Sequence, residues 1–244
     1  MLNSTITQSF KHKLAFVQDL GIDKSIDRDD SHKEIFLTAF VHKSYASDFV
    51  PTLSHNERLE FLGDSILWAC ISSLLYTSHT DREESQMTLY KIALVREETL
   101  AQVARDISLG EQLFLSHGEE NQGGRDKDAI LADGLEALIG AIYLLFGYKY
   151  AYYFIDKYVG VYLDHVIQDG GKSHKSRIQE RAQGLWYGLP RYSTQPLAKQ
   201  ASEGFKADIY IDDTHYGSWI GKNKKKAQEA AAQDALSKIE QEKL

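Results

Sequence analysis

The sequence predicts a multidomain protein, an all-α domain followed by a small α+β module of α-β-β-β-α order. Three observations lead there. From about residue 5 to 164, apolar residues recur three and four apart, as in Leu14, Val17 and Leu20 or Leu89, Ile92 and Val95, which is the period of helices with one buried face. Over 205–212 the period drops to two: Phe205, Ala207, Ile209 and Ile211 alternate with Lys206, Asp208, Tyr210 and Asp212, as in a half-buried strand. The charge balance shifts with it. Of the chain's 28 basic and 35 acidic residues, 13 and 9 fall in 172–244, so a basic end sits on a chain of net charge −7. A difference in sign between the parts suggests two jobs.

In chain order, the helical pattern is interrupted by polar stretches that read as loops: DKSIDRDDSHKE at 23–34, TSHTDREES at 77–85 and SHGEENQGGRDKD at 116–128. HVIQDGGKSHK at 165–175, polar and with paired glycines, reads as an interdomain linker. The expected boundaries are 1–164 for the helical domain, 165–174 for the linker and 175–244 for the second domain. Within the latter, RIQERAQGLWYG is a helix ending near Gly188. RYSTQPLAKQ, FKADIYID and HYGSWIG are the strands. A last helix from Asn223 to Glu240 carries Ala227, Ala230, Ala231, Ala235, Leu236 and Ile239, a face small enough to lie close on a sheet.

Composition excludes several classes. One cysteine, Cys70, rules out an intramolecular disulfide and a cysteine-rich zinc site, and fits a reducing compartment. Lys11 and Lys13 precede only a brief apolar run without a cleavage signal, and the longest apolar run, ALIGAIYLLFG at 137–147, is short for a bilayer. A cytoplasmic protein without a membrane partner is expected.

The stretch NERLEFLGDSIL at 56–67 places Glu57, Glu60 and Asp64 among apolar residues. At about 100° per residue they fall within roughly 60° of one another on a helix. A second pair, Asp133 and Glu136 in ILADGLEALIG, is three apart on another apolar helix, and Glu84 borders the 77–85 loop. Such carboxylates repel, and burying them ionised and unpaired costs several kcal/mol, on the order given for charges in low dielectric. Either they lie on solvated faces and pair with Arg58, Lys91, Arg96 and Arg125, or they hold a cation. Oxygen-only ligands suit magnesium or manganese rather than zinc. A di-iron bundle would require Glu-x-x-His, which neither pair supplies.

NERLEFLGDSIL resembles the signature of the ribonuclease III family. The likeness extends to VHKSY at 41–45, ESQMTLYKIALVREETLA at 84–101 and ILADGLEALIGAIYL at 130–144. The C-terminal part resembles the double-stranded-RNA-binding domain that follows the nuclease domain in bacterial members, with GKNKKKAQEAAA at 221–232 as the basic start of its last helix. The resemblance implies a metal-dependent endonuclease, acting on double-stranded RNA as a homodimer, that leaves 5′-phosphate and 3′-hydroxyl ends with two-nucleotide 3′ overhangs and matures ribosomal and other transcripts.

Position by position, the resemblance makes Glu60, Asp64, Asp133 and Glu136 the metal ligands, with Asp64 and Glu136 closest to hydrolysis. It ties Glu57 and Glu84 to placement of the RNA strand and of groups behind the ligands. Phe61 matches an aromatic that enters a socket on the partner subunit, while its own apolar setting suits plain core packing equally well. His42 and Ser44 match a family motif; an imidazole there suits a structural hydrogen-bonder better than the alternative, a general base. Gln179, Glu180 and Gln183 match the helix face that meets 2′-hydroxyls in the wide minor groove of A-form RNA. Lys222, Lys224, Lys225 and Lys226 match a phosphate clamp at a helix start. A carboxylate-held magnesium supplies Lewis acidity to the attacking water and the leaving oxygen, with no nucleophilic side chain required. One departure stands out. The loop between the first two strands usually carries Gly-Pro-x-His, whereas here it reads KQASEGFKAD, which predicts weaker or less duplex-selective binding by this module than is typical of relatives.

Overall fold

In the computed structural model, which describes residues 4–22, 30–49, 53–197 and 204–241, the chain forms two units, Met1–Gly171 and Lys172–Leu244. The first is helical: α1 (Ser4–Gln8), α2 (Phe10–Asp19), α3 (Asp30–Thr38), α4 (Lys43–Phe49), α5 (Glu57–Ser78), α6 (Glu84–Val95), α7 (Glu97–Asp106), α8 (His117–Asn121), α9 (Asp128–Phe146), α10 (Tyr148–Tyr158) and α11 (Leu163–Gln168). Helix α9 is its axis, because it is apolar nearly all round; Ile130, Leu131, Leu135, Leu138, Ile139 and Ile142 are all buried. It packs against α5, α7, α10 and α3. By length and composition alone α5 and α9 are each long and apolar enough to cross a membrane, a test that core helices also pass. Most of α9 is instead buried inside the helical unit.

The phase of α9 is fixed at both ends of its functional stretch. At its start, Arg105 of α7 donates to the Asp126 and Asp128 carboxylates at 2.6 Å each, and Asp128 in the first turn also complements the helix dipole. Further along, α9 meets α5 backbone to backbone. A Cβ built on Gly63 would lie 1.8 Å from the Glu136 carbonyl oxygen, and one on Gly140 would lie 2.3 Å from that of Leu59. Leu59 faces Gly140 and Gly63 faces Glu136, so the helices run antiparallel.

Some polar stretches fold more than their composition suggests. Residues 30–34, expected as loop, open α3, while 23–29 lie outside the described residues. Residues 117–121 form α8 because the Ser116 hydroxyl accepts the Glu119 backbone N–H at 3.1 Å, which is a helix-capping arrangement. The expected linker is partly helical as well: α11 reaches Gln168, and α12 (His174–Gly184) starts where Ser173 Oγ accepts the Ser176 N–H at 3.2 Å.

The second unit follows with β1 (Arg191–Pro196), β2 (Phe205–Ile211), β3 (Thr214–Gly221) and α13 (Lys224–Gln241). The sheet is antiparallel in the order β1-β2-β3, with Thr194 opposite Ala207, Ile209 opposite Gly217, and a register shift after Ile209. Ile178 and Ala182 of α12, alternate residues of β2, and Ala227, Ala231, Ala235, Leu236 and Ile239 of α13 make a separate core. Close approach of α13 requires glycines on β3, since a Cβ on Gly221 would lie 2.4 Å from the Ala227 nitrogen. Helix α12 stops four residues before Gly188. The chain then turns through Trp186 in the left-handed region (φ 62°), and the Gly188 N–H is received by the Asp212 carboxylate at 2.9 and 3.0 Å. The loop that lacks Gly-Pro-x-His falls at 198–203, outside the described residues.

Candidate metal centre and RNA-binding face

The backbone contact at Gly63 decides where the acids go. Glu60 sits one turn before Asp64 on α5, Asp133 and Glu136 are one turn apart on α9, and the crossing brings the two sets face to face. One carboxylate oxygen each from Glu60, Asp133 and Glu136 lies within 4.8 Å of the others, on half-buried side chains. Asp64 is exposed and outside this trio, but its charge bears on Glu60 and on Glu136. Glu84 opens α6 and accepts the Thr88 hydroxyl at 2.7 Å, a local bond that does not join it to the trio.

The electrostatics mark a cluster short of positive charge. Burial first, then Asp64, Asp133 and Glu60, push the Glu136 carboxyl up to about 8. Glu60 is raised by burial and then by Asp133 and Glu57, and Asp133 is raised by burial. The four cations expected as partners for these acids are engaged elsewhere or exposed: Arg125 donates to Glu120 and to the carbonyls of Gly110 and Leu113, Lys91 lies over the Trp68 ring, Arg96 donates to Thr99, and Arg58 is exposed. Converging hard oxygen donors with elevated proton affinity fit a divalent cation of the magnesium type.

One cation near the cluster escaped sequence reasoning. Lys43 Nζ donates to Glu57 Oε1 at 3.0 Å, and this bond holds the Glu57 carboxyl below its ordinary range. Backbone bonds set the pair: the Asn56 N–H donates to the Val41 carbonyl at 2.8 Å, while the Leu59 and Glu60 N–H groups return to Asn56. The segment is pinned from the other side too, with the Phe114 N–H donating to Phe40 and the His42 N–H to Phe114. The signal available in sequence was adjacency, because Lys43 lies inside VHKSY.

His42 is buried, and burial lowers its pKa. Its Nδ1 receives the Ser44 N–H at 3.2 Å and lies 2.8 Å from Ser44 Oγ, which itself accepts the Ser116 N–H at 3.0 Å. The imidazole thus braces Ser44, whose hydroxyl ties this segment to Ser116. Phe61, next to Glu60, is 79% exposed beside a cleft of about 880 Å³ lined by Ile35, Leu53, Leu59, Leu62 and Leu144.

In the second unit, Gln179, Glu180 and Gln183 lie exposed on one face of α12, Glu180 being held by Lys172 at 2.6 Å. Helix α13 starts at an Asn223 cap, whose Oδ1 accepts the Lys226 N–H at 2.9 Å. Lys222, Lys224 and Lys225 are exposed there and Lys226 is half-buried. Two bonds clamp the helices together, Lys175 Nζ to Gln228 Oε1 at 2.9 Å and the His174 N–H to Glu229 Oε2 at 3.0 Å. The exposed α12 face of Gln179, Glu180 and Gln183 and the lysine run thus stand on two helices bonded to each other. Backbone N–H groups at a helix start, with lysines around them, favour phosphate.

Comparison with known proteins agrees with both units. Residues 32–162 match the Ribonuclease-III-like family model, and 174–239 match the double-stranded RNA binding motif. Ribonuclease 3 of Mycobacterium leprae is 39% identical over 86% of this chain and 90% of its own length. Ribonuclease 3 of Caldanaerobacter subterraneus subsp. tengcongensis is 36% identical over 89% and 96%. A solved nuclease domain of ribonuclease III from Campylobacter jejuni, described for structural flexibility in the region involved in dimer formation, covers 60% of this chain and 94% of its own, with 34% identity and a TM-score of 0.52. With a family model spanning the helical unit and relatives matching most of the chain, the protein belongs to the ribonuclease III family, as an endoribonuclease whose metal-dependent nuclease unit is followed by a double-stranded-RNA-binding unit.

Proposed function

We propose that this endoribonuclease uses magnesium, with manganese as a substitute, held by Glu60, Asp133 and Glu136 and joined by Asp64, and that it cuts RNA duplexes as a homodimer. The observation that carries the metal reading is the convergence of carboxylate oxygens from α5 and α9 within 4.8 Å. When bound, the ion supplies Lewis acidity for the attacking water and the leaving 3′-oxygen. The protein's own contribution is to fix the ligands rigidly through the glycine crossing and to shield Glu136 from water. Without a cation, clustered carboxylates repel a phosphodiester, so RNA would be admitted once the site is charged.

The homodimer is supported by α5. A helix that is apolar by composition leaves Phe61, Trp68 and Tyr76 exposed along its length, and exposed apolar surface of this kind marks an interface. Phe61 of each copy would enter the cleft of the other. Family membership supports the product ends, 5′-phosphate and 3′-hydroxyl with two-nucleotide 3′ overhangs, and a role in ribosomal RNA maturation; the lone buried Cys70 suits the cytoplasm as its place of work. The test is incubation of the full chain with a long RNA duplex, with and without magnesium, beside Glu136→Ala. Metal-dependent cutting that the substitution abolishes while duplex binding persists is the expected result; equal cutting by the variant would remove Glu136 from the mechanism.

A further inference from the structure

Resting on that reading, we infer that Lys43 is a substrate-contacting residue, which meets the RNA backbone beside the scissile phosphate and is aimed there by Glu57. Glu57 belongs to the acidic stripe of α5 and is exposed next to the metal cluster, yet a carboxylate repels the phosphates that must arrive there. It can serve the strand only through a hydroxyl or through a cation. The structure puts a cation on it, with Lys43 Nζ at 3.0 Å.

Three observations give Lys43 more than a surface ion-pair role. Its partner Glu57 stands one helical turn before Glu60 on α5, and the Lys43 charge bears on Glu60 and Asp133 as well. Its ammonium carries three donors, and the Glu57 bond uses one of them. The pair is also mounted on fixed backbone, through Asn56 to Val41 on one side and Phe114 to Phe40 and His42 on the other. Stability explains it poorly: with both side chains about half exposed or more, such a pair contributes only about 0–1 kcal/mol. A lysine is a point charge able to serve Glu57 and a phosphate oxygen together. In this arrangement Glu57 is a positioning residue.

The experiment uses the full chain with magnesium and a duplex substrate, measuring kcat and KM at several potassium chloride concentrations for Lys43→Gln, Lys43→Arg, Glu57→Gln and the double variant Lys43→Gln/Glu57→Gln. Removal of one charge-assisted bond to phosphate is expected to lower kcat/KM about tenfold or more and to flatten the dependence of log(kcat/KM) on log[salt] by roughly 0.9. Lys43→Arg restores most of both. Glu57→Gln falls between wild type and Lys43→Gln, and the double variant is no worse than Lys43→Gln alone. An unchanged salt slope in Lys43→Gln, or losses that multiply in the double variant, would overturn the assignment. Wild-type cutting in the same assay keeps that outcome separate from failure of the metal-nuclease reading.

Discussion

Gly63 of α5 lies against Glu136 of α9 so closely that a single added carbon would come within 1.8 Å of the Glu136 carbonyl oxygen. Backbone, unlike the far end of a side chain, cannot step aside. Gly63→Ala must therefore force the helices apart at the point where the metal ligands meet. We expect a loss of about 1–3 kcal/mol or more in urea denaturation and loss of metal-dependent cutting. Gly184→Ala, at a helical site where the added carbon meets nothing within 4 Å beyond its own helix, should instead stabilise by about 0.4–1 kcal/mol. Similar effects at both glycines would contradict the backbone-contact account.

Glu136 makes the metal-free protein sensitive to pH. Its folded carboxyl, at about 8 against an ordinary 4.5, keeps a proton that the unfolded chain has released across the interval between. The native state binds more protons there, so stability falls as pH rises from about 4.5 to about 8. Saturating magnesium should flatten that decline, and Glu136→Gln should remove it while abolishing cleavage. Urea melts at pH 5 and pH 8, in chelator and in magnesium, provide the check. A full-sized decline surviving in the variant would exclude Glu136 as its source.

Lys13 gives a dependence of opposite sign. It is 5% exposed, donates to the Gln112 carbonyl and side chain, and sits 5.4 and 4.9 Å from the Phe40 and Phe114 rings. Burial, and then Arg125, lower it from 10.5 to about 8. Between those values the unfolded chain holds the proton and the native state does not, so stability should rise with pH across that range. Lys13→Met should erase the rise, measured by thermal melts at pH 8 and pH 10.

Phe61 is predicted to be an anchor of the dimer. Phe61→Ala should weaken self-association at least about thirtyfold, the equivalent of roughly 2 kcal/mol, by sedimentation at graded concentrations. Unchanged association would send the interface elsewhere.

Duplex binding by the second unit should separate into two kinds of interaction. Lys224→Gln with Lys225→Gln should weaken binding and reduce its salt slope by roughly 0.9 for each phosphate no longer neutralised. Gln179→Ala should weaken binding with the slope intact, because a hydrogen bond to a 2′-hydroxyl releases no counterion. Titrations of duplex RNA at several salt concentrations distinguish them.

What the sequence made legible is what repeats locally. The spacing of Glu60 and of the Asp133–Glu136 pair on apolar helices marked the cluster, and the alternation at 205–212 marked β2, whose observed span is Phe205–Ile211. Polar caps were harder, because the serines that start α8 and α12 share their composition with loops. Lys43 stayed hidden because its partner is set by bonds from Asn56 and Phe114, far apart in the chain. Phe61 looked equally suited to a core, since exposure depends on the face α5 turns outward.

The main hydrophobic core lies wholly within Met1–Gly171, and another, of Ile178, the β2 residues and α13, lies wholly within Lys172–Leu244. Among the described residues, each core is built from its own unit. Natural selection can therefore retune the grip on RNA, or exchange or duplicate that half outright, while leaving the cutting machinery's interior untouched. An altered β1–β2 connection, such as this chain carries, is the sort of drift that independence permits.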